Sequence, residues 1–96
     1  MSEEDWRAIQ DEADGIYATF AALNAAGAQP DSPEAMEAVT AHRNHISRWF
    51  YDCTPEIHAG LGQMYVGDPR FAASIDKHGN GVAAYMSEAI AAAYTD

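Results

Sequence analysis

Between His42 and Tyr65 the chain gathers a dense set of side chains able to do chemistry: His42, His45, Trp49, Phe50, Tyr51, Cys53, His58, Met64 and Tyr65. Two imidazoles at His42-x2-His45 stand one helical turn apart. With Cys53 and His58 they would supply a tetrahedral set of the kind that holds zinc. The His-to-Cys spacing matches no standard zinc finger, and the His-Glu-x-x-His arrangement of metalloproteases is missing. Capping and packing roles fit the same histidines. Cys53 lies just ahead of a proline-started helix, where the helix dipole favours a thiolate, and His58 follows within reach. A hydrolase would also need an oxyanion hole and an orienting third group, and no residue marks either. The thiol is therefore read as reactive but non-catalytic, or as an inert buried cysteine; no enzyme is expected. Gly60 and Gly62 each cost about 0.5–1 kcal/mol against alanine inside a helix. They mark either the close approach of a neighbouring helix or a cleft floor where a ligand meets backbone.

The elements that position these groups are well punctuated. Ser32-Pro33, Thr54-Pro55 and Asp68-Pro69 each place an oxygen-bearing cap ahead of a proline at the first helical position. There the side chain accepts from an orphan amide, and proline has no amide to leave unbonded. A first helix is predicted from near Ser2 to before Gly27, with Trp6, Ile9, Ala13, Ile16, Tyr17, Phe20 and Leu23 on one apolar stripe. A second is predicted from Pro33 to Tyr51, with Met36, Val39, Ile46, Trp49 and Phe50 inward. The third, Pro55 to Val66, turns Ile57, Leu61, Met64 and Tyr65 inward, and Gly67 stops it. A short fourth helix, Pro69 to Lys77, is anchored by Phe71 and Ile75. The loop His78-Gly79-Asn80-Gly81 leads to a fifth, Val82 to Tyr94, with Val82, Tyr85, Met86, Ala89, Ile90 and Ala93 on one face. No segment reads as a strand. The fold class is all-α, one domain of about five helices over residues 1–96.

Composition narrows the function. Five basic residues against 15 acidic ones give a net charge of -10, which argues against direct nucleic-acid contact and against anionic membranes. A single cysteine excludes an internal disulfide and fits a cytoplasmic protein. Neither a signal peptide nor a run of about 20 apolar residues is present.

Two stretches resemble the TipAS antibiotic-recognition domain of MerR-family transcription activators. One is Glu4-Asp5-Trp6 with Ile9-Gln10-Asp11-Glu12-Ala13-Asp14. The other begins at Tyr51-Asp52-Cys53, Glu56-x-His58 and Leu61-Gly62-x-Met64-Tyr65-Val66. It continues through Asp68-x-Arg70-Phe71 and Ile75-Asp76 to Gly81-x-Ala83-Ala84-Tyr85-Met86 and Ala89-Ile90. The resemblance implies a globin-like bundle without haem or other cofactor, which takes a bulky thiopeptide such as thiostrepton into a cleft between helices. It also implies an upstream segment that closes over the drug, and a MerR-type DNA-binding domain as the N-terminal partner in a longer chain. On that reading this chain starts at the ordered core, as a trimmed effector module or as a stand-alone drug-sequestering protein. Cys53 matches the first of two family cysteines. Gly60 stands where the second, which captures a dehydroalanine, would be, so covalent capture is not implied.

The expected function is non-catalytic binding of a large, flat, partly apolar antibiotic. Trp49, Tyr51, Met64, Tyr65, Phe71 and Tyr85 are the expected cleft residues, since aromatic faces stack on heteroaromatic rings and methionine adapts to irregular shapes. Cys53 and His58 are expected as polar contacts or a weak nucleophile. The competing readings are a helical protein-interaction module with no small-molecule site, and a His/Cys metal sensor.

Overall fold

The caps act where the sequence places them. In the computed structural model, which describes residues 2–94, Ser2 accepts from the Asp5 amide while the Asp5 carboxylate accepts from the Ser2 amide. This reciprocal box starts α1, Glu3–Ala25. Ser32 Oγ accepts from the Ala35 amide to start α2, Pro33–Trp49. Thr54 Oγ1 accepts from the Ile57 amide to start α3, Pro55–Gly67. Asp68 accepts from the Arg70 amide to start α4, Pro69–Asp76. Gly81 enters α5, Val82–Ala93, in the left-handed conformation (φ 79°) and so has no side chain to act as a cap. Asp76, the last residue of α4, supplies the missing acceptor: its Oδ1 takes the Ala83 amide at 2.9 Å. No strand forms among the described residues.

The last helix is the hub. α5 packs against each of the other four helices, and its small residues Ala83 and Ala89 let them come close. Phe20 from α1 and Val82, Met86 and Ile90 from α5 are fully enclosed. Around them lie Ile16, Val39, Tyr65, Ile75 and Tyr85. The Tyr85 hydroxyl donates to the carbonyls of Ala28 and Gln29, at 3.0 and 3.3 Å, and so ties α5 to the α1–α2 connection. Gly62 faces Ile90: a Cβ at position 62 would stand 3.0 Å from Ile90 Cγ2. A Cβ at Gly60 would meet open space. Of the two readings of these glycines, close helix approach holds at Gly62 alone.

Several inward assignments are corrected. Trp6 (55% exposed), Phe50 (51%), Ile57 (41%), Met64 (39%) and Phe71 (42%) all face outward. On α3 the enclosed residues are His58, Gly62 and Tyr65, and His58 is rotated about 100° around the helix from Ile57. α2 ends at Trp49, ahead of the expected Tyr51.

Candidate functional site

Most of the outward-facing apolar side chains meet in one place. A groove of about 490 Å³ opens between α1 and the α3–α4 pair, with α2 as its floor. From α1 come Trp6, Ile9, Gln10, Ala13, Asp14 and Tyr17. From α2 and the turn after it come His42, His45, Ile46, Phe50 and Tyr51. Leu61, Met64 and Tyr65 of α3, Phe71 and Ser74 of α4, and His78 complete the lining. Ring contacts hold the walls together: Tyr65 to Phe71 at 6.3 Å, Tyr17 to His78 at 5.1 Å, and the edge of Phe50 to His45 at 6.0 Å. These spacings suit tilted and edge-on aromatic pairs.

A buried chain of polar groups runs from the groove floor into the protein. Tyr65 Oη lies 3.4 Å from His42 Nε2, His42 Nδ1 lies 2.8 Å from His58 Nε2, and His58 Nδ1 lies 2.6 Å from Tyr94 Oη. Two proton arrangements satisfy every ring nitrogen. Either Tyr65 donates to His42, His42 to His58 and His58 to Tyr94, or all three bonds run the other way. Only one proton fits between the two rings, so both cannot be charged while they touch. Burial, and then the proximity of His58, holds the His42 imidazole down at about 3. Burial, and then the Arg43 charge, holds His58 down at about 4. Burial pushes the Tyr65 phenol up, and neighbouring Tyr17 and Tyr51 add to it. The Tyr65–His42–His58 chain is therefore uncharged at neutral pH.

Beside the floor, Glu12 accepts from three donors: His45 Nδ1 at 2.6 Å, Arg48 Nη1 at 3.2 Å and Trp49 Nε1 at 3.3 Å. The hydrogen bond from His45 is the main reason its carboxyl sits below the usual range. This clamp fixes the His45 ring against Phe50 and turns the Trp49 indole away from the groove.

Cys53 is fully enclosed, its amide donating to Ser47 Oγ and its carbonyl accepting from Arg43 Nε at 2.7 Å. Burial pushes its thiol up, outweighing the nearby Arg43 charge. The thiolate expected from the helix dipole is thus not favoured. An aromatic disulfide reagent should label Cys53 much more slowly in the folded protein than in denaturant, with absorbance following the released thiolate. Equal rates would contradict the burial. The ring nitrogens that His42 and His58 would need for a metal are engaged with each other and with Tyr65 and Tyr94, and no group of three or more His, Cys, Asp or Glu converges on a metal position among the described residues.

The comparisons with known proteins bear on this groove. The model of the TipAS antibiotic-recognition domain matches residues 1–93. This chain belongs to the TipAS domain family. It is 50% identical over 91 residues to the HTH-type transcriptional activator TipA of Streptomyces coelicolor, covering 95% of this chain and 36% of that protein. It is 47% identical over 89 residues to the HTH-type transcriptional activator mta of Bacillus subtilis, covering 93% and 34%. The chain thus spans about a third of the length of these relatives. Among solved structures, TipAS of Streptomyces lividans in complex with nosiheptide, from a thiopeptide antibiotic multidrug resistance system, superposes with a TM-score of 0.92. It shares 49% identity, over 98% of this chain and 66% of that one. The antibiotic-binding domain of a TipA-class multidrug resistance transcriptional regulator matches at 0.83 with 49% identity, over 93% and 95%. The bundle is accordingly the globin-like one of TipAS domains.

Of the side chains picked out from the sequence, this TipAS domain brings Tyr51, Met64, Tyr65 and Phe71 together in the groove. Trp49 sits beside it on Glu12. His58 stands behind it and reaches it only through His42. Cys53 is enclosed among Ser47, Thr54 and Arg43. Tyr85 points to the α1–α2 connection. The α1 wall was not anticipated, because Trp6 and Tyr17 had been given to the core. Its signal was present as Trp6, Gln10, Asp14 and Tyr17, a mixed aromatic and polar stripe at helical spacing beside the apolar one.

Proposed function

We propose that the groove binds a bulky, flat, heteroaromatic small molecule of the thiopeptide class, and that the domain is a non-catalytic effector module. One observation carries this. Among the described residues, five of the seven large hydrophobic side chains that stand exposed, Trp6, Phe50, Tyr51, Met64 and Phe71, lie on this single groove. Exposed apolar side chains weaken solubility, and a rimmed concentration of them marks a binding surface. The volume falls within the range of small-molecule sites. The enclosed thiol offers no nucleophile to the groove, which supports binding without chemistry. Attached to a DNA-binding domain, as in the HTH-type relatives, the groove would bias that domain. Alone, it would sequester the drug. No helix among the described residues is long and apolar enough to cross a membrane, which is compatible with either setting.

Nosiheptide tests the proposal. Trp6 rims the groove while Trp49 does not, and these are the only two tryptophans. Titration should release heat and change the indole fluorescence, and Trp6→Phe should abolish most of the fluorescence change. Phe71→Ala removes a ring from the wall and should weaken binding roughly tenfold, the scale of one aromatic contact. A titration with neither heat nor fluorescence change would refute the reading.

A further inference from the structure

Among the described residues, the groove lining carries none of the five lysines and arginines and one acidic side chain, Asp14. Three of the five are engaged elsewhere: Arg48 on Glu12, Arg70 on Asp68, and Arg43 on the Cys53 carbonyl. The one fully ionic side chain in the lining is a carboxylate, Asp14. Its single close partner is His78, whose Nε2 lies 3.4 Å from Oδ1. Tyr17 stands one turn further along α1 and feels the carboxylate's charge, and Trp6, Tyr65 and Phe71 line the same groove. An aromatic face is negative at its centre and attracts a cation held over it. The whole chain adds a net charge of -10, which raises the local concentration of cations and lowers that of anions.

From this, and resting on the groove being the binding site, we infer that it takes lipophilic aromatic cations in preference to anions of the same shape, with Asp14 as the counter-ion and the rings of the lining as the cage. The Asp14 charge is felt inside the groove: after burial it is the second cause that pushes the Tyr17 phenol up. The uncharged His42–His58 pair adds no positive group to the floor, and the floor's other imidazole, His45, is held on the Glu12 carboxylate.

Tetraphenylphosphonium and tetraphenylborate make the test, because they are nearly the same size and shape and carry opposite charge. Isothermal titration of each against the folded domain should give tighter binding of the phosphonium by at least about tenfold. Asp14→Asn should weaken the cation and strengthen the anion by roughly threefold each, so the ratio of the two Kd values falls about tenfold. Asp14→Lys should reverse the preference. Circular dichroism confirms that the variants are folded, and Asp14 is exposed enough to be replaced without loss of core.

Equal or tighter binding of the borate by the unmodified domain would overturn the inference. So would a ratio that Asp14→Asn leaves in place, or failure of both probes while nosiheptide binds. Silence of nosiheptide as well would remove the underlying groove reading, a separate result.

Discussion

Taking the domain from about pH 7 to about pH 5 should cost it roughly 4 kcal/mol of stability, most of it through two histidines. The sign follows from the proton count. His42 and His58 sit at about 3 and about 4 in the fold, below the ordinary 6.5 of the unfolded chain. Below that ordinary value the unfolded chain binds protons that the folded one refuses, so acid favours unfolding. Their stabilisation is complete above the unfolded value and drains away as pH falls toward the folded values. At about pH 5 each unfolded imidazole has gained about 2 kcal/mol of protonation free energy, at 1.36 kcal/mol per pH unit. A domain of this length has roughly 5–14 kcal/mol in total, so the loss is a large part of it. Glu12 and Asp68 have folded values below their ordinary ones. Their contribution is lost in the same direction but in more acid solution, so the interval between about pH 7 and about pH 5 belongs to the imidazoles. Urea midpoints at a series of pH values should show the slope. His58→Gln, which can still hydrogen-bond, should flatten it by about half. A flat profile across that interval would mean that the imidazoles are not held neutral.

Ile90→Ala should destabilise the domain by about 3 kcal/mol, the usual scale for emptying an enclosed aliphatic site. For a domain of this size that lowers Tm by roughly 15 °C. The informative experiment pairs it with Gly62→Ala. With Ile90 present, a methyl at position 62 meets Cγ2 at 3.0 Å and Cβ at 3.2 Å, and the fully enclosed Ile90 has nowhere to go. Overpacking then outweighs the helix-propensity gain of about 0.5–1 kcal/mol, and Gly62→Ala destabilises by about 1 kcal/mol. With Ile90 cut to alanine, the contacts with Cγ2 and Cδ1 are gone, and the remaining Cβ at 3.2 Å can give way into the vacated space. Gly62→Ala should then stabilise by about 1 kcal/mol, a coupling of roughly 2 kcal/mol. Equal effects in both backgrounds, by thermal or urea unfolding, would show that the glycine does not serve this contact.

Element boundaries were legible because their causes are local. A cap oxygen, a proline and the amides they serve lie within four residues, so Ser32, Thr54 and Asp68 specify their helix starts in any context. Facing directions were less legible, because hydropathy ranks side chains without knowing what lies opposite. Ile57 outranks His58 as a core residue, yet His58 is enclosed because His42 and Tyr94, distant in sequence, meet its two nitrogens. Trp6 continues the stripe of Ile9 and Ile16, but it lies where α1 runs along the open groove, so its ring rims the opening. Tyr85 looks like a cleft aromatic until its hydroxyl is seen to serve Ala28 and Gln29. The groove is a surface shared by four helices and two connections. Four of its lining residues, Tyr51, Met64, Tyr65 and Phe71, could be guessed from the aromatic clustering after His42. The α1 wall needed the packing.

The hub helix follows the other four in chain order, which has a bearing on how the molecule is made. During synthesis α1 to α4 leave the ribosome first, with Phe20, Val39 and Ile75 still lacking the surface that covers them, since that surface is Val82, Met86 and Ile90. Loose helices with bare apolar stripes are what chaperones hold and proteases cut. Closure must wait for the twelve residues of α5, so a nascent chain halted before Val82 keeps those stripes open to chaperones and proteases.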